Sequence, residues 1–171
     1  MRSPLDNPDF SGEAASVLGL MLGQSEAEAR ALVEANPQLV YHPDESNFGR
    51  FYVDDASGPA GDHALFYCQW PDGRPDMGHL VIYGRAARLL AHGFDRLVGA
   101  ASYEAMEPEV KVWLGLPDRS VVTLDVGMIG LKHTNHVFER RGIEVIDVVA
   151  SGDAPRVYIV LSKPSLMVRS P

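Results

Sequence analysis

The last third of the chain contains four short apolar runs separated by turn residues, and this pattern restricts the fold more than any other feature. The runs are SVVTLDVGM, LKHTNHVFER, GIEVIDVVA and RVYIVLSK. In the first run, every second residue from Val122 to Met128 is apolar, which is typical of a strand with one better buried face. Short strands joined by brief turns pair in antiparallel fashion. The region therefore predicts an antiparallel sheet.

Additional strands are predicted before this region. RFYVD at 50–54 and ALFYCQW at 64–70 are rich in aromatic residues and are separated by ASGPAGD, so we expect two consecutive antiparallel strands. VKVWLGL at 110–116 has the same apolar character and is also interpreted as a strand. The sequence thus predicts an α+β fold with a sheet of five to seven strands.

Residues 83–101 are predicted to form the principal helix. Apolar residues recur at steps of four and three, which gives the helix one continuous face for a sheet. These residues are Tyr83, Ala87, Leu90, Phe94, Leu97 and Ala101. Gly93 within the run costs about 1 kcal/mol relative to alanine.

Two shorter helices are predicted near the N-terminus. Ser11 can cap the first, and Gly23 offers its left-handed end. The second begins with the capping box SEAE at 25–28 and ends at Asn36 and Pro37. A helix pair this short is not stable alone in water, so it must cover another surface. We predict an N-terminal helical hairpin over 1–45, followed by an α+β domain over 46–171.

Charge and composition exclude several classes of function. The net charge of −8 repels polyanions, and no basic stripe offsets it, so we expect no nucleic-acid partner. No apolar run reaches the roughly 18 residues that a membrane span requires, and the N-terminus has no hydrophobic export segment. The only cysteine, Cys68, excludes an intrachain disulfide and is interpreted as a packed thiol. These features predict a cytoplasmic protein with no membrane partner.

A small polar group precedes the principal helix and forms the candidate site. Asp76, Gly78 and His79 lie in a turn before an apolar, strand-like run. A carboxylate there can act as general base or nucleophile, while a histidine orients water or donates to a carbonyl. Backbone N–H groups at a helix start can hold the negative charge that develops on the carbonyl oxygen. Gly78 and Gly84 permit close approach of the backbone to a substrate.

The stretch WPDGRPDMGHLVIYGRAARLLAHGF, together with the later hairpin, resembles the hotdog-fold acyl thioesterases and hydroxyacyl dehydratases, in particular the 4-hydroxybenzoyl-CoA thioesterase-like members. The resemblance covers roughly residues 50–163. The family pattern places Asp three residues before Gly and Asn after His, whereas Asp76 lies two before Gly78 and no Asn follows. Some members carry a carboxylate on the helix, where this chain has Leu89 and Leu90.

The resemblance implies a sheet curled around one long helix, a homodimer, and hydrolysis of an acyl-CoA or acyl-carrier-protein thioester without a metal or cofactor. Catalysis is then expected from Asp76, Gly78 and His79. Substrate contacts are expected from Tyr83, Gly84, Arg85, Arg88 and His92. Together with Arg96, these two arginines offer the best local positive patch for phosphates, although a solvated surface also explains them. Equally, Asp76 is a typical turn or N-cap residue, and His79 fits a structural role.

Two other functions remain open. The absence of the helix carboxylate favours a noncatalytic hotdog module that binds acyl thioesters or another protein. A hydroxyacyl dehydratase is the third possibility, but its helix acid would have to be Asp95, which comes nearly two turns too late. His133 and His136 lie three apart on a predicted strand and point to opposite faces, so they do not predict a metal site.

Overall fold

The computed structural model of the chain describes residues 4–37, 39–43, 50–55, 64–71, 74–82, 96, 100–125, 131–149 and 156–168. Within these ranges, eight strands form one antiparallel sheet in the order β1-β2-β3-β4-β8-β7-β6-β5. The strands are β1 (Leu39–Pro43), β2 (Arg50–Asp55), β3 (Ala64–Gln69), β4 (His79–Ile82), β5 (Arg119–Asp125), β6 (Leu131–Phe138), β7 (Ile143–Val149) and β8 (Arg156–Ser162). The described α-helices are α1 (Glu26–Ala35) and α2 (Pro108–Leu114). The α+β class is confirmed, whereas the predicted five to seven strands are too few.

The sheet consists of two meanders joined at their inner strands. Strands β1 to β4 pair in chain order, as do β5 to β8, and β4 pairs with β8 from His79↔Ser162 to Ile82↔Ile159. The predicted pairing of residues 50–54 with 64–70 is confirmed by the β2–β3 ladder. Antiparallel neighbours need only short connections, which agrees with the turn residues between the C-terminal runs.

One face of the sheet, which we call the core face, carries the main hydrophobic core. Its fully buried strand residues include Leu80, Ile82, Ile143, Val145, Ile159 and Leu161. Helix α1 packs into this core through Ala29 and Val33, and α2 packs through Val110 and Leu114. The opposite face carries a smaller apolar cluster of Val81, Ile146 and Val160. Strand β7 is therefore buried on both faces, because its residues alternate between the two clusters.

The N-terminal segment packs into the same core, but the predicted helical hairpin is wrong. The second helix is present as α1, with the Ser25–Glu28 capping box formed in both directions. The first is replaced by a 3-10 turn at Gly12–Ala14 and a tight turn between Val17 and Leu20.

The tight turn explains why the first helix does not form. Leu18 and Gly19 have φ angles of 53° and 87°, which lie in the left-handed region and interrupt a right-handed helix. The turn instead directs Val17 and Leu20 into the core, where both are buried. Gly12 is also required here, because a Cβ atom at this position would lie 2.4 Å from the carbonyl oxygen of Gly142.

The predicted strand at 110–116 is also wrong, because this segment belongs to α2. Val110 and Leu114, four residues apart, are buried, whereas Val112 between them is 82% exposed. This is the burial period of a helix, and Pro108 occupies a first-turn position that proline favours. Strand β1 was not predicted, since residues 41–43 belong to the polar stretch YHPDESNFG, whose composition is typical of a loop.

Most of the predicted principal helix lies outside the described residues. Within 83–101, Arg96 has helical backbone, whereas residues 100 and 101 are bends and do not belong to a helix. In the part of the chain that the structure describes, no helix combines the length and apolar content that a bilayer crossing needs. Cys68 is fully buried in the core, as expected of a packed thiol, and burial raises the pKa of its thiol.

Candidate functional site

Asp76 lies in the turn before β4 and forms an ion pair with Lys163, which follows β8. The Lys163 ammonium donates a hydrogen bond to Oδ2 of Asp76. This hydrogen bond is the main cause of a lowered pKa for the Asp76 carboxyl group. A carboxylate with a lowered pKa is a weaker base, so the ion pair ties the turn to β8 and reduces the basicity of Asp76.

Gly78 is held by backbone hydrogen bonds on both sides. Its N–H donates to the carbonyl oxygen of Gln69 at 2.9 Å, and its own carbonyl accepts from the N–H of Lys163 at 3.3 Å. A Cβ atom here would lie 2.4 Å from the Leu166 side chain and 2.9 Å from Pro71. The glycine therefore allows close packing of the turn, and its N–H is already engaged rather than open to a substrate oxygen.

His79 begins a chain of hydrogen bonds that runs into the opposite face of the sheet. Its Nδ1 lies 2.8 Å from Oγ of Ser162, and Ser162 donates to Oε2 of Glu144 at 3.3 Å. Oε1 of Glu144 accepts from the N–H of Val168 at 3.1 Å. Ser162 is fully buried and Glu144 is nearly so. A substrate therefore cannot reach these two members of the hydrogen-bonded series.

Replacing Glu144 by glutamine is expected to change the pH dependence of stability. Relative to the wild type, the variant should become more stable as the pH rises from acid to neutral. Burial raises the pKa of the Glu144 carboxyl above the roughly 4.3 of an unfolded chain. The folded state therefore binds this proton more tightly, and wild-type stability falls as pH rises from the unfolded pKa through the folded pKa. Glutamine keeps the side-chain shape but does not ionise.

Thermal unfolding from pH 4 to pH 8 measures this effect. The melting temperature of the Glu144→Gln variant, minus that of the wild type, should increase with pH and then level off. The exposed Glu13→Gln variant is the control and should show no such trend. A difference that does not change with pH would contradict the buried, proton-binding role of Glu144.

The expected substrate-binding residues lie outside the described part of the chain. They are Tyr83, Gly84, Arg85, Arg88 and His92. Arg96, the third arginine of the predicted positive patch, is described. Its Nη2 lies 2.5 Å from Oε2 of Glu107 and 2.9 Å from Oε2 of Glu109, so its guanidinium group already pairs with two carboxylates.

A second polar cluster, which the sequence reasoning missed, combines a serine, a histidine and an aspartate on the core face. Oγ of Ser120 lies 2.8 Å from Nδ1 of His136. Nε2 of the same imidazole lies 2.9 Å from Oδ2 of Asp147. The imidazole thus bridges a hydroxyl group and a carboxylate, as in serine hydrolases, but with its two nitrogens exchanged: Nδ1 faces the serine and Nε2 faces the carboxylate.

The register of three neighbouring strands creates this cluster. Ser120 on β5 is directly opposite His136 on β6, and His136 is opposite Val145 on β7. Asp147 lies two residues beyond Val145 and therefore shares its face of the sheet. Diagonal cross-strand neighbours at this spacing are within reach of a ring as large as imidazole.

The hydrogen-bond partners determine the proton positions on His136. An ionised carboxylate can only accept hydrogen bonds, so Asp147 favours the tautomer in which Nε2 of His136 carries the proton. Nδ1 then presents its lone pair to the hydroxyl of Ser120. In this state, His136 can accept the proton of Ser120 as a general base, and Asp147 can stabilise the positive charge that would form on the imidazole.

Tyr103 contacts both His136 and Asp147. Its backbone N–H donates to Oδ1 of Asp147 at 2.6 Å, and its ring stacks on the His136 imidazole with centroids 4.3 Å apart. Lys111 holds the next residue in place, because its ammonium donates to the carbonyl oxygen of Glu104 at 2.8 Å. The aspartate and imidazole are therefore held from outside the sheet as well as by the strands.

Ser120 and His136 open into a groove between β5, β6 and the segment that contains α2. The groove has a volume of about 660 Å³, which falls within the roughly 300–1,000 Å³ of small-molecule sites. The residues that line it are Tyr103, Glu104, Lys111, Val112, Gly115, Leu116, Pro117, Ser120 and His136. Ser120 is exposed, while Asp147 lies behind the imidazole and does not line the groove.

The two polar sites are thus separate. Asp76, Gly78 and His79 lie where β4 begins, whereas Ser120, His136 and Asp147 lie at the β5 edge of the sheet. The distinction between the faces of β6 was predicted correctly: His136 bonds to Ser120, while Nδ1 of His133 lies 3.3 Å from the Tyr158 hydroxyl on the opposite face. Comparisons of the chain with protein-family models, curated proteins and solved structures gave no match.

Proposed function

We propose that this protein is an acyl hydrolase that uses Ser120 as nucleophile, His136 as general base and Asp147 as the group that orients and stabilises the imidazole. The observation that carries the proposal is the alignment of the three side chains at 2.8 and 2.9 Å, with the serine exposed in a groove. The substrate is a carboxylic ester or thioester, since both have a carbonyl carbon that a serine hydroxyl can attack.

The residues of the cluster account for both halves of the reaction. Oγ of Ser120 attacks the carbonyl carbon while Nδ1 of His136 takes its proton, and the resulting imidazolium gives that proton to the departing alkoxide or thiolate. The bond between the carbonyl carbon and the leaving group breaks, and an acyl-serine remains. His136 then accepts a proton from water, which attacks the acyl-serine and releases the acid. The proton returns to Oγ of Ser120.

The thioester class and its setting remain part of this proposal. An acyl-CoA or acyl-carrier-protein substrate, a hotdog-like arrangement, a homodimer and a cytoplasmic location follow from the resemblance and composition described above. The antiparallel sheet is compatible with that arrangement. The turn with Asp76 and His79 is the competing catalytic site for the same reaction, and the ion pair of Asp76 counts against it as a base.

Hydrolysis of a panel of p-nitrophenyl esters and acyl-CoA thioesters tests the proposal. We expect turnover by the wild type, with loss of activity in Ser120→Ala and retained activity in Asp76→Ala and His79→Ala. Ser165→Ala, which removes an exposed hydroxyl outside the groove, is the matched control.

Each alternative gives a different pattern in the same assay. Activity that survives Ser120→Ala but disappears in Asp76→Ala or His79→Ala would place catalysis at the β4 turn. Binding of acyl-CoA without turnover by any of these proteins would favour the noncatalytic module and contradict an acyl hydrolase.

A further inference from the structure

The two most exposed large apolar side chains of the described residues lie beside Ser120. Val112 is 82% exposed and Leu116 is 91% exposed, and both line the groove. Val122, which lies two residues beyond Ser120 and on the same face of β5, is also exposed. Single exposed apolar residues are common on protein surfaces, whereas a group at the rim of a concave site marks contact with an apolar ligand.

The charges that line the groove balance each other. Glu104 and Lys111 are its acidic and basic side chains, and the Lys111 ammonium lies 3.4 Å from Oε2 of Glu104. Lys111 also donates to the backbone carbonyl of Glu104, so both contacts of its ammonium group are with Glu104. The groove wall therefore offers apolar contact and no excess charge of either sign for the end of an acyl group.

We infer that Val112 and Leu116 bind the acyl group of the substrate, and that this group is uncharged, apolar and several carbons long. The inference rests on the proposed function, because it places the substrate carbonyl at Ser120 and extends the acyl chain along the groove wall. The position of both side chains in the same groove as Ser120 favours an acyl ester over a second copy of the chain. These two side chains then determine which acyl esters are hydrolysed efficiently.

A series of p-nitrophenyl esters from acetate to octanoate tests the inference. For the wild type, kcat/KM should rise about threefold to fourfold for each added methylene until the groove is filled. Leu116→Ser and Val112→Ser should flatten this rise, so that their loss of kcat/KM relative to the wild type grows with each added methylene and is largest with octanoate. Leu32→Ser, at an exposed position on α1 away from the groove, should keep the wild-type slope.

A binding measurement separates failure of this inference from failure of the proposed function. Titration with N-methyl alkanamides, which are not hydrolysed, should shift the methyl resonances of Val112 and Leu116, with affinity rising with acyl length. If the wild type hydrolyses no ester but shows this binding, the acyl hydrolase is wrong and the apolar site stands.

Two results would overturn the inference while leaving the hydrolase intact. The first is ester hydrolysis with no dependence on chain length, or a Leu116→Ser variant that keeps the full slope. The second is a wild-type dimer that Leu116→Ser converts to a monomer in sedimentation experiments, since the occupant of the patch would then be a second copy of the chain.

Discussion

Replacing His136 by alanine is expected to lower kcat for ester hydrolysis by about two to four orders of magnitude, the usual contribution of a positioned general acid–base. The imidazole contacts both Ser120 and Asp147, so its removal takes away the base that accepts the serine proton and the acid that protonates the leaving group. KM should change much less, because most of the groove wall is formed by other residues. Steady-state kinetics on the best ester of the panel measures the effect.

His133→Ala is the matched control for this prediction. His133 lies three residues earlier on the same strand but bonds to Tyr158 on the opposite face of the sheet. Its replacement should leave kcat within about threefold of the wild type. A His136→Ala variant that folds and retains a tenth or more of wild-type kcat would contradict the role of His136 as general base.

Replacing Leu161 by alanine is expected to lower the free energy of unfolding by about 2–5 kcal/mol. Leu161 lies on β8 between Leu80 of β4 and Ile143 of β7, and all three side chains are fully buried. The substitution removes apolar contacts at the junction of the two meanders and leaves a cavity that a close-packed core cannot easily fill. Urea-induced unfolding measures the loss.

Leu116→Ala provides the comparison for Leu161→Ala, because it removes the same atoms from an exposed side chain. Its unfolding free energy should stay within about 0.5 kcal/mol of the wild type. Equal effects of the two substitutions would contradict the position of Leu161 at the centre of the core.

The C-terminal strands and α1 were predicted correctly because short sequence patterns determine them. The C-terminal strands follow from their alternating residues and the turns between them, and α1 follows from the Ser25–Glu28 capping box. Both signals act over a few residues, and packing does not override them in these segments.

The wrong predictions arose where two periods fit the same residues. In VKVWLGL, the apolar residues alternate, yet Val110 and Leu114 also match a helical spacing, and Pro108 was the local signal for a helix start. In residues 11–23 the apolar spacing suits a helix. The left-handed Leu18 and Gly19 instead make a turn that buries Val17 and Leu20.

The serine–histidine–aspartate cluster could not be predicted from the sequence, because it depends on strand register. Ser120 and His136 are 16 residues apart, and His136 and Asp147 are 11 apart. No local motif connects them, and a shift of one residue in either ladder would place the partners on different faces. The sequence predicted that His133 and His136 point to opposite faces of β6. It did not indicate which residues of the neighbouring strands lie beside His136.

The most direct measurement of the central claim is covalent labelling of Ser120. A fluorophosphonate forms a stable bond with an activated serine, and peptide mass spectrometry locates it. We expect one adduct on Ser120, formed much more slowly in His136→Ala and at an unchanged rate in His133→Ala. An adduct at another residue, or an unlabelled Ser120 in a protein that hydrolyses esters, would contradict the claim that this serine is the nucleophile.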